Sequence, residues 1–139
     1  MKYSFEILEK AMGKERPRYN TKTHTTYTPQ RTKDFEEKVR WSFVSKYNIE
    51  KEASYEPFRA TITAIFKPPV STSQKKLKQI IGTSYMKKPD VDNIAKAILD
   101  SLNGLPYKDD NQVVELLVRK EYGLENRIIV ELEEINQWG

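Results

Sequence analysis

Cysteine is absent from the 139 residues, and histidine occurs once, as His24. A disulfide framework, a thiolate metal site and a histidine-rich zinc site are therefore all excluded. His24 itself reads as a loop residue. Any metal site has to be carboxylate-based, which favours Mg2+ or Mn2+ over zinc. Long apolar runs are missing as well, so neither a membrane span nor a signal peptide is expected, and the cytoplasm is the expected location. Internal repeats and low-complexity segments are also lacking. What remains is one domain over residues 1–139, long enough to bury a core.

Acidic residues are scarce in the first two thirds of the chain. Residues 1–89 hold 19 Lys and Arg against 9 Asp and Glu, whereas residues 90–139 hold 5 against 11. Between Pro57 and Pro89 there are 7 basic residues and no acidic one. A basic surface beside an acidic pocket suits a protein that grips phosphates and concentrates metal at one point. Plain solvation of exposed loops would give the same composition.

The stretch from Lys87 to Gly104 organises the chain. Pro89 disfavours helix at Lys88. Asp92 or Asn93 is expected as the N-cap of a helix whose apolar face is Ile94, Ala97, Ile98 and Leu102, with Gly104 just past its end. Asp92, Lys96 and Asp100 fall in one row at i, i+4, i+8. Asp90 precedes Asp92 in an extended segment, where Asp-x-Asp directs both side chains the same way. Two readings stay open on these residues alone: a seat for a hard cation, or an ordinary charged helix start with an ion pair. A second acidic cluster, Asp109-Asp110-Asn111-Gln112, follows a Gly-Leu-Pro turn and leads into an apolar strand from Val113 to Val118.

Lys-Pro-Asp-Val-Asp-Asn-x-x-Lys-x-x-x-Asp-x-Leu-Asn (88–103), followed by Lys-Asp-Asp-x-Gln-Val-Val (108–114), resembles the RusA family of Holliday junction resolvases. Arg16-Pro17-Arg18 and the C-terminal strands extend the likeness over most of the chain. The resemblance implies a small, homodimeric, Mg2+-dependent DNA endonuclease that acts on four-way junctions and belongs to recombination and repair. It implies that Asp90, Asp92 and Asp110 bind the metal, with Mn2+ a possible substitute, and that Lys96 is the essential lysine. Of the adjacent pair, Asp110 matches the family position and Asp109 does not. Asp100 and Asn93 read as supporting residues, and Asp100 can pair with Lys96. Lys14, Arg16, Arg18, Lys87 and Lys88 are candidate phosphate contacts, and Tyr19 and Tyr27 candidate base-stacking residues.

Other uses of paired aspartates fit worse. An EF-hand starting at Asp90 needs Gly at position 95 and Glu at 101, where the chain has Ala95 and Ser101. Phosphatases with an Asp-x-Asp nucleophile place it after an apolar strand, and Tyr85-Met86-Lys87-Lys88-Pro89 is not one. A different class stays open: a junction- or duplex-binding protein that does not cut and whose acidic cluster is structural.

The rest of the pattern predicts an α+β domain, β-α-β-α-α-β-β, with helices packed on a mostly antiparallel or mixed sheet. Residues 2–8 and 58–66 alternate as strands. Residues 13–28 read as a polar loop. Thr28-Pro29 reads as N-cap and first residue of a helix to about Tyr47, with Phe35, Val39, Phe43 and Tyr47 as its apolar row. A connection follows from Lys46 to Pro57. Ser73 caps a short helix that Gly82 stops. Residues 112–122 and 126–134 are expected as an antiparallel hairpin around Gly123–Asn126, with Ile129 and Val130 as candidate contacts between two copies. The last five residues read as a frayed tail.

Overall fold

In the computed structural model, which describes residues 1–47 and 52–136, the alternation read in the sequence becomes a sheet with one buried face. The elements in order are β1 (Lys2–Ile7), β2 (Arg18–Asn20), β3 (Thr25–Tyr27), α1 (Gln30–Val44), β4 (Phe58–Phe66), α2 (Gln74–Ile80), α3 (Val91–Ser101), a single 3-10 turn (Asp110–Gln112), β5 (Val113–Tyr122) and β6 (Arg127–Glu134). Tyr3, Phe5 and Ile7 of β1 stand opposite Leu132, Val130 and Ile128 of β6, and all six are buried. Phe58, Ala60, Ile62, Ala64 and Phe66 of β4 continue that apolar surface. Phe35, Val39 and Phe43 of α1, and Ile94, Ile98 and Leu99 of α3, cover it in one core. This is the α+β architecture that the patterning predicts.

The strand order differs from the expected hairpin. The main sheet runs β1-β6-β4-β5, with β6 antiparallel to β1 and β4, and β5 parallel to β4. Strands β5 and β6 are thus consecutive in sequence but are separated by β4. The four-residue link closes over the end of β4 instead of pairing its flanks. Gly123 N donates to Phe66 O at 3.0 Å, and Lys67 N donates to Asn126 Oδ1 at 2.8 Å. Gly123 is needed there, because a Cβ at this position would collide with Ile65 Cγ2. Strand β4 is the most apolar of the three, and the central position buries it best.

Parallel pairing of β4 and β5 requires a crossover, which α2 and α3 supply. Ser73 Oγ accepts from Lys76 N at 3.2 Å and caps α2 as expected, and Gly82 follows with φ 87°. Helix α1 starts one residue later than expected, with Pro29 outside it at the cap position and its carbonyl accepting from Thr32 and Lys33. Its end packs on β1: Tyr3 and Phe43 rings meet edge to face at 5.1 Å, and Tyr3 and Tyr47 at 4.8 Å. Residues 13–28 are not wholly loop. Within them β2 and β3 pair as an exposed ribbon, and Asn20 Oδ1 accepts from Lys22 N and Thr23 N in the turn that holds His24. The connection over 46–57 and the tail over 135–139 fall partly outside the described residues. No helix among the described residues is long and apolar enough to cross a membrane.

Ile62, fully buried at the centre of β4, supports both neighbouring strands. Ile62→Ala should lower unfolding free energy in urea by about 2–5 kcal/mol. Leu8→Ala, at a position 73% exposed, should change it by less than about 0.5 kcal/mol. Equal effects at the two positions would contradict this placement of the core.

Candidate active site

Helix α3 carries most of the predicted site on its solvent side. Its start lies two residues earlier than the sequence suggests: Asp90, and not Asp92 or Asn93, occupies the cap position, and Asp90 O accepts from Ile94 N at 3.0 Å. The Asp90 side chain makes no cap hydrogen bond. Asp92 lies in the first turn, and Asp92 and Lys96 are exposed. Ile94, Ala95, Ile98 and Leu99 turn inward. The helix therefore sorts its residues into a buried apolar face and an exposed charged one.

Its neighbours in sequence are engaged elsewhere. Asp100 does not pair with Lys96: it forms an ion pair with Lys14 and accepts from Asn103 Nδ2 at 3.0 Å. Lys14 also lies 3.9 Å from Glu36, so this cation ties the loop before β2 to α1 and α3. Asn93 Oδ1 accepts from Lys14 N at 3.2 Å. Gly13 packs on the Asn93 amide so closely that a Cβ would overlap it. Asn93 and Asp100 thus act as supporting residues by anchoring the segment that carries Arg16 and Arg18.

The second acidic cluster shows the same division. Asp109 caps the 3-10 turn, its carboxylate accepting from Asn111 N at 3.0 Å. The Asp110 side chain makes no hydrogen bond or ion pair among the described residues, and Asp110 begins the turn that leads into β5. Tyr107 fastens this turn to α3. Its hydroxyl donates to Leu99 O at 2.6 Å, and its ring is fully buried against Phe58 at 5.5 Å. Burial, reinforced by the Asp110 and Asp109 charges, pushes the Tyr107 hydroxyl well above its ordinary value.

Strand β5 runs back along α3. Its beginning is held near Leu99 through Tyr107, and Lys120 near its end reaches the segment before α3. Tyr107, three residues before Asp110, thus meets the C-terminal half of α3, while Asp90 and Asp92 open its N-terminal half. Asp92 and Leu99 are separated along the axis by roughly 10 Å, with Lys96 between them. Among the described residues no group of three or more carboxylate or imidazole side chains is gathered closely enough to hold a metal together. A cavity of about 710 Å3 opens beside Asp90, with Lys10, Arg31 and Lys88 on its walls. Arg16, Lys87 and Lys88 are exposed, and Arg18 lies 3.6 Å from Glu15. Tyr19 and Tyr27 are exposed on the ribbon, with Tyr19 Oη 3.0 Å from His24 Nδ1.

Two positioning residues escaped the sequence reading. Gln112 Oε1 accepts from Lys108 N and Asp109 N, while its Nε2 donates to Ser54 O and Glu56 O, at 2.8 to 3.0 Å. One amide thus clamps the Asp110 turn to the segment before β4. The Asp-x-x-Gln spacing of 109–112 is a capping-box signal that could have revealed it. Lys120 Nζ donates to Lys87 O at 2.7 Å and Pro89 O at 2.9 Å, fixing the approach to Asp90. Its signal was a cation in register with inward-facing positions of an apolar strand.

The model of the family described as endodeoxyribonuclease RusA matches residues 9–133. The uncharacterized protein YqaN of Bacillus subtilis (strain 168) is 53% identical over 49 residues, 35% of this chain. That match spans 34% of YqaN.

The raised Tyr107 value has a thermodynamic consequence. The unfolded chain releases this proton near pH 10 and the folded chain does so only at higher pH, so folding holds the extra proton between the two values. The contribution is intact below about pH 10 and is lost as pH rises, by up to about 1.4 kcal/mol per pH unit. Urea titrations between pH 8 and about 11 should show this fall. Tyr107→Phe should flatten it while lowering neutral-pH stability by about 1 kcal/mol; an unchanged alkaline slope would show that Tyr107 is not its source.

Proposed function

This chain belongs to the endodeoxyribonuclease RusA family, and from that membership we propose that it is a Mg2+-dependent, structure-specific endonuclease resolving four-way DNA junctions by paired symmetric cuts. One observation carries the reading. The side chains of Asp90, Asp92, Asp110 and Lys96 make no hydrogen bond or ion pair among the described residues, whereas those of Asp100, Asp109 and Lys14 are all engaged in holding the fold. Side chains kept unpaired on a well-anchored frame are available to a ligand.

The donor set suits a hard cation. Asp90 and Asp92 are one residue apart on a fixed backbone and offer only oxygen, as Mg2+ or Mn2+ prefers. Mg2+ takes one or two protein carboxylates and keeps several waters, so three gathered carboxylates are not required. Asp90 and Asp92 would hold the ion directly, and Asp110 would meet it through water from the facing turn. The bound ion would supply charge neutralisation at the scissile phosphate and acidify a water. Lys96, one helical turn from Asp92, contacts the same phosphate and stabilises charge that develops on it.

Arg16, Arg18, Lys87 and Lys88 contact the flanking phosphates, and Lys14, engaged by Asp100, holds the loop that presents Arg16 and Arg18. Tyr19 and Tyr27 stack on bases opened at the branch point. The protein acts as a homodimer with one site per chain, since two opposed strands must be cut and the substrate has two-fold symmetry. Its work in recombination and repair is cytoplasmic.

Synthetic four-way junctions incubated with and without Mg2+ test the assignment, and cleavage should need the ion. Asp92→Asn and Asp110→Asn should abolish cleavage while keeping or tightening junction binding measured in EDTA. If these variants lose binding and folding together, the cluster is structural and the protein is a binder that does not cut.

Lys96→Ala should separate rate from affinity. Turnover should fall roughly 10²–10³-fold, while the dissociation constant should move little, because binding sums over many phosphate contacts. Equal losses in both would assign Lys96 to the general basic surface.

A further inference from the structure

The cavity of about 710 Å3 beside Asp90 has no part in the chemistry assigned so far. The deeper part of its lining is apolar: Ala11 is buried, and Met12 and Pro89 are half-buried. The outer part is cationic, with Lys10, Arg31 and Lys88 all exposed. Two groups in the lining lack partners. Ala11 is 3% exposed, yet neither its N–H nor its carbonyl makes a hydrogen bond among the described residues. Buried peptide groups almost always have a partner. Asn93 Oδ1 accepts from Lys14 N at 3.2 Å, which fixes the amide and leaves Nδ2 as a donor with no hydrogen bond of its own among the described residues. Glycine at position 13 leaves room for that amine, since a Cβ there would overlap it.

We infer that this cavity receives one unstacked nucleobase of the bound DNA, next to the phosphate that is cut, and so determines which sequence is cut. The inference rests on the proposed reading for the nature of the strand and for the place of the reaction at Asp90. Bases at a branch point are the least costly to extrude, because stacking and pairing are already interrupted there. An extruded base is held by apolar side chains against its faces and by hydrogen bonds to its edge. Met12 and Pro89 supply the first, and Asn93 Nδ2 and the Ala11 peptide groups the second. Lys10 and Lys88, with no ion pair among the described residues, take the phosphates on either side of the base.

Other ligands use the cavity less fully. A cation would find two carboxylates in the lining, but Glu15 is engaged by Arg31 and lies 3.6 Å from Arg18, which leaves Asp90 alone. A free phosphate would be held by exposed lysines and would leave the apolar part untouched. A wholly apolar ligand would leave Ala11 and Asn93 without partners and would meet a cationic rim. A base joined to its own backbone satisfies all three parts of the lining together. Asn93 then acts as a specificity-determining residue: its amine favours an acceptor on the base edge and disfavours a donor.

The fluorescent adenine analogue 2-aminopurine, which brightens on leaving the stack, tests this when placed at single positions around the branch point of a synthetic junction. In EDTA, where no strand is cut, the native protein should brighten one position several-fold and leave its neighbours unchanged. Adding Mg2+ should then place the cut at a phosphate adjoining that position. Met12→Trp fills the cavity and should abolish the brightening. Asn93→Asp keeps an oxygen for Lys14 N but exchanges the donor for an acceptor. It should shift the preferred base at that position, moving relative cleavage rates by up to about tenfold. Circular dichroism should show both variants folded. Brightening at no position, or equal brightening with Met12→Trp, would overturn the inference even if junctions are cut. An unmoved preference with Asn93→Asp would overturn the role of Asn93. Brightening without any cut in Mg2+ would uphold the cavity and overturn the catalytic reading, and a chain that binds no junction would overturn both.

Discussion

The parallel pairing of β4 with β5 is the constraint from which the rest of the molecule follows. Two adjacent parallel strands cannot be joined by a tight turn, so the chain between them has to cross a face of the sheet. That crossing segment includes α3, whose apolar side then completes the core over Phe58, Ala60 and Ile62. Its other side is left to solvent, and with it Asp92 and Lys96. The same pairing brings the start of β5 back to α3, where Tyr107 bonds to Leu99 and Asp110 begins the strand. The two acidic segments are thus connected by the shape of the sheet.

Around this frame the polar side chains divide by task. Arg40 Nη1 donates to Ser101 O at 2.9 Å and Asn103 O at 3.1 Å, satisfying carbonyls at the end of α3. Gln112 fixes one acidic turn, Lys120 the approach to the other, and Lys14 and Asn93 the N-terminal loop. The bonds of Gln112 and Lys120 immobilise backbone next to Asp110 and Asp90, whose side chains make no hydrogen bond or ion pair among the described residues. Such an arrangement resembles preorganisation, in which a rigid supporting shell holds the groups it surrounds in place.

Much of this was legible in the residues, and the failures have physical reasons. Strong alternation marked β1 and β4, and the 3.6-residue period marked α1 and α3, because burial on one face leaves a periodic trace. Strands β2 and β3 left none: they are three residues long and largely exposed. The expected hairpin failed because a short turn between two strands does not reveal a third strand between them; that depends on Gly123 and Asn126 binding the end of β4. The residue types of the candidate site were proposed from its motifs. Which acid is engaged and which is not was harder, since Asp100 meets Lys14 across 86 positions of chain.

The position of β6 sets an order of assembly. It is the last strand of the sheet in sequence, yet it stands between the first strand and the central one. Strands β1 and β4 share no ladder of their own; each is joined to the other only through β6. A nascent chain that has emerged as far as residue 126 contains β1, β4 and β5 but lacks Val130 and Leu132 of the core. Completion of the sheet waits for β1 and β6, far apart in sequence, to pair, which is a slow kind of closure. The core over β1 and β4 thus stays incomplete until β6 has been made.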